Sequence, residues 1–324
     1  MAIQNSNPAS IIETHGSKVS RRHACAMMLG VGSWLPGVLA AADTGAPVRL
    51  AISESIMGDV NLNDAKSAMQ IWVNRMTSDL SIAIGRDSKL VYTSREILDG
   101  VRKGELDAVA INIIEYRQIA DLLDSSQIVC VAGAAGLEQY VILAKKSGPI
   151  QHLADLKGRR LCTLNVPKMC VAPAWLSTLL EAGHLGAAEQ FFGSVITDTK
   201  ASRVVLPVFF GQADACLTSK RSFDTMCELN PQVARDLTTI AGSPAMIVSF
   251  YIFRKNYRSV NRQKVISALS GLRSSPAGRQ LDTLFQFGEI TIRDAGCLTN
   301  DRSLSGLPGG GGVDSEGTLA AGQF

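Results

Sequence analysis

The chain has 324 residues, of which 46% are hydrophobic and 19% charged, with a formal net charge of +3. This length and composition are typical of a globular protein with one large or two medium domains. So small a net charge, without a run of Lys and Arg interleaved with aromatic residues, excludes the usual pattern of a nucleic-acid-binding protein.

The first 42 residues have the pattern of an export signal. Arg21 and Arg22 precede an apolar run over residues 24–40, and small residues follow at 40–42. A basic segment, an apolar segment and small residues at a cleavage site are typical of export signals, and the paired arginines indicate the twin-arginine type. We therefore expect residues 1–42 to be a twin-arginine-type signal peptide and the protein to be periplasmic. An N-terminal membrane anchor is the alternative.

The next part of the chain alternates strands and helices. Strands are predicted at 48–53, 89–92, 108–111 and 127–131, with helices near 64–80, 94–103 and 115–123. Such an alternation predicts parallel strands covered by helices. The segment 140–145 is predicted to be a strand that leaves this first lobe.

A second run of strands and helices follows. Strands are predicted at 160–164, 192–196, 215–218 and 237–241, with helices near 169–181, 199–210, 222–229 and 232–236. The apolar segment 246–254 is predicted to return to the first lobe, and helices at 261–272 and 275–287 end the ordered part. The segment 299–324 contains four consecutive glycines and little apolar content, which indicates a disordered tail.

Two segments of the chain, 98–112 and 204–221, repeat one pattern. Each has an apolar helical stretch, a glycine, two residues, Asp-Ala and a short apolar run, so that Gly104 and Asp107 match Gly211 and Asp214. The pattern predicts a helix ended by a left-handed glycine, a tight turn and a buried strand. Two copies indicate two similarly built α/β lobes.

Four motifs in order carry a family resemblance: VRLAIS at 48, GELDAVAIN at 104, DLKGRRL at 155 and GQADACLTS at 211. They resemble the phosphate/phosphite/phosphonate-type periplasmic solute-binding proteins of ABC importers. The resemblance implies the type II periplasmic-binding-protein fold: α/β, two-lobed, with mostly parallel sheets flanked by helices and two hinge-crossing strands. Lobe I is expected over 43–136 and 248–298, and lobe II over 137–247.

The ligand loops depart from the family pattern. In phosphonate binders, a cluster of Ser and Thr grips the anion at the start of the second lobe's first long helix. Here that place, residues 166–171, holds no hydroxyl side chain, and of the first lobe's ligand loop only Tyr116 is retained. The chain is therefore expected to be a divergent branch with another small polar ligand, anionic or zwitterionic.

The candidate ligand-binding residues lie at the predicted carboxyl ends of strands, where open α/β sheets bind their ligands. They are Ser53, Glu54, Ser55, Asn112, Tyr116, Lys168, Met169, Cys170, Ser219, Lys220 and Arg221. The cations and the helix start predicted at Met169 favour an anion, whereas Glu54 favours an amine-bearing ligand. Glu115 is interpreted as a complement to a helix dipole.

Catalysis has little support in the sequence. There is no hydrolase, metalloprotease or P-loop motif. Cys170 is the one plausible nucleophile, because a helix N-terminus lowers the pKa of a thiol. We expect a monomeric binding protein without cofactor or metal, with cysteines that act as buried apolar groups, whose partner is an ABC permease or, alternatively, a membrane sensor kinase.

Overall fold

In a computed structural model of the chain, the structure describes residues 45–57, 60–85, 90–132, 136–285 and 288–298. The predicted signal peptide and C-terminal tail lie outside the described residues. Within the described ranges, no helix has the length and apolar character needed to cross a membrane.

The strands and helices follow each other in chain order. The strands are β1 (Leu50–Ser53), β2 (Val91–Tyr92), β3 (Ala108–Asn112), β4 (Ile128–Val131), β5 (Tyr140–Lys145), β6 (Arg160–Leu164), β7 (Ser194–Asp198), β8 (Ala215–Ser219), β9 (Leu237–Gly242), β10 (Ser249–Phe253) and β11 (Ile290–Arg293). The α-helices are α1 (Leu62–Asp79), α2 (Ser94–Arg102), α3 (Ile113–Ile119), α4 (Ala172–Ala182), α5 (Ala188–Phe191), α6 (Ala201–Phe209), α7 (Lys220–Leu229), α8 (Pro231–Asp236), α9 (Val260–Ser270) and α10 (Pro276–Phe285). Short 3₁₀ turns lie at Glu54–Ile56 and Pro167–Met169.

The first sheet has six strands in the order β11-β4-β10-β3-β1-β2. Strand β1 pairs in parallel with β2 and β3, whereas β10 pairs antiparallel with both β3 and β4. Helices α2 and α3 bury apolar side chains against one face of this sheet, and α1, α9 and α10 against the other. We call this sheet and its helices the first lobe.

The second sheet has five strands in the order β7-β6-β8-β5-β9. Strand β6 pairs in parallel with β7 and β8, and β5 lies antiparallel between β8 and β9. Apolar side chains of α4, α6 and α8 are buried in its core. We call this sheet and its helices the second lobe.

The predicted α/β fold with flanking helices and mostly parallel strands is confirmed, although each sheet is mixed because it contains strands that run opposite to the rest. The chain enters each sheet from the other at the carboxyl edge. Tyr140 of β5 pairs with Ser219, the last residue of β8, and Ser249 of β10 pairs with Asn112, the last residue of β3. A strand that starts at this edge must run opposite to its neighbours.

Several predicted boundaries also differ from the structure. Strand β11 was missed, and it pairs antiparallel with β4 at one edge of the first sheet. The helix predicted to begin at Met169 begins at Ala172, after the 3₁₀ turn at Pro167–Met169. Lys220 and Arg221, expected in a loop, form the first turn of α7 instead.

The two repeats have the same local structure. Gly104 and Gly211 have φ values of +70° and +72°, the left-handed conformation expected of glycine after a helix. In each copy, the aspartate three residues later accepts a hydrogen bond from a backbone N–H at the start of the neighbouring parallel strand. The donors are Arg49 to Asp107 at 3.1 Å and Arg160 to Asp214 at 2.9 Å. Both aspartates therefore join the turn to the neighbouring parallel strand.

Asp107 has further partners that Asp214 lacks among the described contacts. Its buried carboxylate receives the Arg49 guanidinium at 2.7 and 2.8 Å and that of Arg254 at 3.1 Å. Burial alone would raise the pKa of this carboxyl, but the hydrogen bonds from Arg49 and Arg254 outweigh burial and hold the pKa below its usual value. Because Arg254 follows β10, this contact also fastens the returning strand to the first repeat.

Replacing Asp107 with Asn is expected to lower the free energy of unfolding at pH 7 by about 2–3 kcal/mol, because two guanidinium groups lose their carboxylate. The matched change Asp214→Asn, at a more exposed site, is expected to cost less than about 1 kcal/mol. Urea unfolding measures both values. Equal losses in the two variants would contradict the proposed role of the Arg254 contact.

The pH dependence gives a second check on Asp107. Because its pKa is lowered in the folded protein, its stabilising contribution is present above the unfolded value of about 3.9 and is lost as the pH falls through the folded value. The difference between the wild type and Asp107→Asn should therefore shrink below about pH 4.

Candidate functional site

The carboxyl edges of the two sheets face the segments through which the chain crosses between them. Residues 132 and 136–139 lead from β4 to β5, and residues 243–248 lead from β9 to β10. The two crossings pair with each other: the N–H groups of Glu138 and Met246 each donate to the other residue's carbonyl at 2.9 Å. This antiparallel pair holds the two crossings side by side.

The first lobe provides one wall of the candidate site, which we call the first wall. Its central residue is Glu115, which is only 3% exposed. Its Oε1 accepts hydrogen bonds from the hydroxyls of Ser53 (2.5 Å), Ser55 (3.0 Å) and Ser94 (2.5 Å). Its Oε2 accepts the backbone N–H of Asn112 at 3.0 Å, and the Asn112 side chain accepts the Glu115 N–H at 2.9 Å. This is a capping box at the start of α3.

The buried Glu115 carboxylate determines which hydrogen bonds the nearby serine hydroxyls can form. A serine hydroxyl has a single proton to donate and two lone pairs that accept. The Ser55 hydroxyl donates its proton to the Glu115 carboxylate, while the Ser53 hydroxyl lies 2.5 Å from the same carboxylate and 2.9 Å from the Ser55 Oγ. Ser55, which also accepts from the Asn112 side-chain amide at 2.9 Å, therefore presents an acceptor rather than an anion-binding donor.

The other predicted residues of the first lobe occupy different environments. Ser53 is fully buried and its hydroxyl contacts the Glu115 carboxylate, whereas Glu54 is exposed in the 3₁₀ turn that follows. The Tyr116 ring packs edge-on against Phe250, with centroids 5.3 Å apart, and burial raises the pKa of its hydroxyl. The structure thus brings Ser55 and Asn112 together with Glu115 and places Tyr116 in the core.

The second wall contains a buried carboxylate that sequence reasoning missed. Glu138, in the first crossing, is 4% exposed, and its Oε1 lies 3.6 Å from the Lys168 Nζ. The Tyr140 hydroxyl donates to the Lys168 backbone carbonyl at 2.8 Å and so fixes the 3₁₀ turn that carries this lysine. Lys168, predicted as a ligand contact, is therefore held beside the chain crossing.

Burial and the nearby positive charges have opposite effects on the pKa of Glu138. Burial raises the pKa of the Glu138 carboxyl, and the positive charges of Lys168 and Arg221 oppose that rise without cancelling it. Arg221 thus lies close enough to share this electrostatic environment. Lys168, Arg221 and Glu138 form one charged cluster on the second lobe.

Lys220 and Ser219 both form contacts with residues of α7. The Lys220 Nζ lies 2.7 and 2.8 Å from the two oxygens of Asp224, one helical turn away on the exposed surface of α7. The Ser219 hydroxyl caps α7 by accepting the Ser222 N–H at 3.1 Å. Neighbouring Thr218 is fully buried, and its hydroxyl has no hydrogen-bond partner in the described part of the chain.

Cys170 lies between the two walls, but its chemistry is the opposite of that predicted. Burial raises the pKa of its thiol to about 12, and the negative charges of Glu115 and Glu138 add to the rise. Hydrogen bonds from the backbone at Cys170 and Val171 lower the pKa as expected of a turn that precedes a helix, but burial outweighs them. The neighbouring side chain, Met169, is buried as well. A thiol with this pKa is almost entirely protonated at neutral pH, which disfavours Cys170 as a nucleophile.

The described cysteines and acidic residues show no further reactive centre. Cys130, Cys162, Cys170, Cys216, Cys227 and Cys297 are all free thiols. No group of three or more His, Cys, Asp or Glu side chains in the described ranges is arranged to hold a metal ion. The described polar groups place hydrogen-bond acceptors on one wall and cations on the other.

The raised pKa of Glu138 gives a testable pH dependence. A raised pKa means that the folded state favours the protonated carboxyl, so the stabilisation is complete below the unfolded value of about 4.3 and is lost as the pH rises through the folded value. The wild type should therefore lose stability relative to Glu138→Gln as the pH rises above about 4. Urea unfolding of both proteins measures this difference.

Lys168→Met provides the control for this prediction. Removing the opposing positive charge should raise the pKa of Glu138 further and move the pH window upward. A constant stability difference between the wild type and Glu138→Gln across the pH range would contradict the assignment.

A family model matches most of the chain. The model describes the periplasmic substrate-binding protein of phosphonate ABC transporters and covers residues 60–294. No curated protein sequence matches the chain.

Solved structures resemble the chain over most of its length. A Xanthomonas citri protein bound to ATP is 14% identical, with a TM-score of 0.58 over 81% of this chain and 97% of that one. PhnD1 from Prochlorococcus marinus, in complex with methylphosphonate, is 13% identical, with a TM-score of 0.53 over 78% of this chain and 95% of that one. A binding-protein component of an ABC phosphonate transporter from Pseudomonas aeruginosa is 14% identical, with a TM-score of 0.50 and coverages of 78% and 83%. At these identities, the likenesses establish the fold.

Proposed function

Because the chain belongs to the family of periplasmic phosphonate substrate-binding proteins of ABC transporters, we propose that it captures a small polar solute between its two lobes and delivers it to an importer. The main observation behind this proposal is the position of the polar groups. Polar and charged groups from both sheets converge on the edge where the paired crossings run. Ligands of open α/β sheets bind at such carboxyl edges.

The charges on the two walls favour a zwitterionic solute over a simple anion. The first wall offers acceptors, since Glu115 takes the proton of Ser55. The second wall offers the Lys168 ammonium beside Glu138, with Arg221 near by. A solute with an ammonium group at one end and an acidic group at the other satisfies both walls. Residues 166–171 supply no hydroxyl side chains, which argues against a solute held by a Ser/Thr cluster.

We assign roles to the predicted residues on this basis. Lys168 and Arg221 bind the anionic end of the solute, while Ser55 faces its cationic end and is held in place by the side-chain amide of Asn112. Ser53, Ser219 and Met169 are structural, because each is buried or fixed by a helix cap. Lys220 is excluded from the binding set by its contact with Asp224.

The paired crossings are the proposed hinge. Lobe I comprises 43–136 and 248–298 and lobe II comprises 137–247, so the boundaries fall on either side of the Glu138–Met246 pair. A few element-terminal residues commonly absorb the rotation when two lobes close around a ligand. Closure of a monomer would create the surface that an ABC permease recognises.

Export is proposed to use residues 1–42 as a twin-arginine-type signal. A fusion of this segment to a reporter that folds in the cytoplasm should reach the periplasm, and changing Arg21 and Arg22 to Lys should stop it. Export of the doubly substituted fusion would contradict this route and favour another signal or an anchor.

A ligand that binds only the folded state raises the melting temperature of the protein. Comparing the shifts that different solutes produce therefore identifies the class of solute. In a panel of phosphate, methylphosphonate, sulfonates, amino acids and amino-phosphonates, zwitterions are expected to give the largest shifts. A panel without any shift would contradict the solute-binding proposal.

Lys168→Met tests the site with whichever solute gives the largest shift. Loss of a hydrogen bond to a charged group costs about 1.5–3 kcal/mol, so the Kd should rise roughly 10- to 100-fold. Lys220→Met is the matched control, and isothermal titration should show its Kd unchanged because Lys220 pairs with Asp224 on the surface. An equal loss in both variants would show that net charge, rather than the proposed site, governs binding.

A further inference from the structure

The first lobe contains a cavity of about 160 Å³ that is separate from the polar site. It lies between one face of the first sheet and helices α1, α9 and α10. Ala110 and Tyr251 line it from the sheet, and Trp72, Leu269 and Phe285 line it from the helices.

The chemistry of its walls restricts what can enter. No Asp, Glu, Lys, Arg or His side chain is among the described residues that line the cavity, and almost all of its surface is apolar. Ser249 and Tyr251 contribute hydroxyl groups to the lining, but a charged molecule would lose its hydration without gaining a partner of opposite charge. An uncharged hydrocarbon group has no strong hydration to lose and gains dispersion contacts with the side chains that line the cavity.

The size of the cavity sets the size of the ligand. An engineered apolar cavity of about 150 Å³ stays free of water and binds benzene. A cavity of about 160 Å³ therefore has room for one aromatic ring or a branched aliphatic group of similar volume.

The cavity also has an identifiable position relative to the carboxyl edge of the sheet. Ile56 and Ser249 line it at that edge, next to Ser55 in sequence and opposite Asn112 in the strand pairing. The edge of the cavity therefore lies close to the residues of the polar site.

We propose that this cavity is a second binding site, which takes an uncharged aromatic or branched aliphatic group of about the size of benzene. This site does not depend on the polar site between the lobes. Space without packed atoms deprives the lining side chains of contacts, so an occupant should stabilise the folded protein.

Benzene itself is the probe for the test, because it has no polar group for the interlobe site to hold. Benzene near its solubility limit should raise the melting temperature of the full chain by about 2 °C or more. It should also change the emission of Trp72, which lines the cavity. Trp72→Phe keeps an aromatic side chain and should abolish the emission change while leaving the melting shift, since Trp175 lies in the second lobe and Trp34 belongs to the predicted signal peptide.

Variants at Ala110 test the location. Ala110→Val adds a side chain that suits a strand and fills part of the cavity, so benzene affinity should fall at least about tenfold. Ala110→Ser changes the same position with little added volume and should keep the affinity within about twofold. Lys168→Met, in the polar site, should not change benzene binding.

Two results would overturn the proposal. One is a wild-type protein whose melting temperature and Trp72 emission do not respond to saturating benzene. The other is equal benzene affinity in Ala110→Val and Ala110→Ser. If Ala110→Val does not fold, the wild type and Trp72→Phe decide the question by themselves. Failure here leaves the interlobe proposal in place, because the polar solutes are tested with a different probe and variant.

Discussion

The pairing of the two chain crossings is the constraint on which the rest of the structure depends. Two backbone hydrogen bonds, between Glu138 and Met246, hold the segments that connect the sheets. Each crossing then enters its new sheet at the carboxyl edge and continues as an antiparallel central strand, β5 or β10. The edge where ligands of α/β sheets bind is thereby turned towards the other lobe in both halves.

Two buried carboxylates near this edge are stabilised in different ways. Glu115 is surrounded by hydroxyl and amide donors of its own lobe, which satisfy its oxygens without a cation. Glu138 instead depends on the charges of Lys168 and Arg221, and burial still raises its pKa. A polar network that is fully satisfied is rigid, whereas a buried charge that depends on a half-exposed lysine is sensitive to its surroundings. We therefore assign ligand-dependent change to the second wall.

The sequence predicted those parts of the fold that depend on local chemistry. The left-handed glycines and the turn aspartates of both repeats follow from a helix, a glycine and an Asp at fixed spacing, and the structure confirms them at Gly104 and Gly211. Strand β11 was missed because it forms by pairing with β4, far away in the chain, and its side chains are only partly buried. The antiparallel insertion of β5 and β10 was likewise invisible, since strand order is set by contacts between distant segments.

The same limit applies to the candidate site. Lys168 and Lys220 look alike in sequence, and only the structure shows that one contacts Glu138 and the other Asp224. Glu115 was interpreted as a complement to a helix dipole, although Asn112 and Glu115 have the spacing of a capping box, and that pattern could have identified the contact. Its three serine partners come from three separate segments, which no local pattern predicts.

The central claim is that the two lobes close around the solute by motion at the paired crossings. The most direct measurement is the distance between spin labels at Lys66 on α1 and Glu189 on α5, both exposed and on different lobes, with and without the solute. The distance distribution should change on ligand addition in the wild type and not in Lys168→Met at the same solute concentration. Saturating binding with an unaltered distance distribution would contradict closure between the lobes.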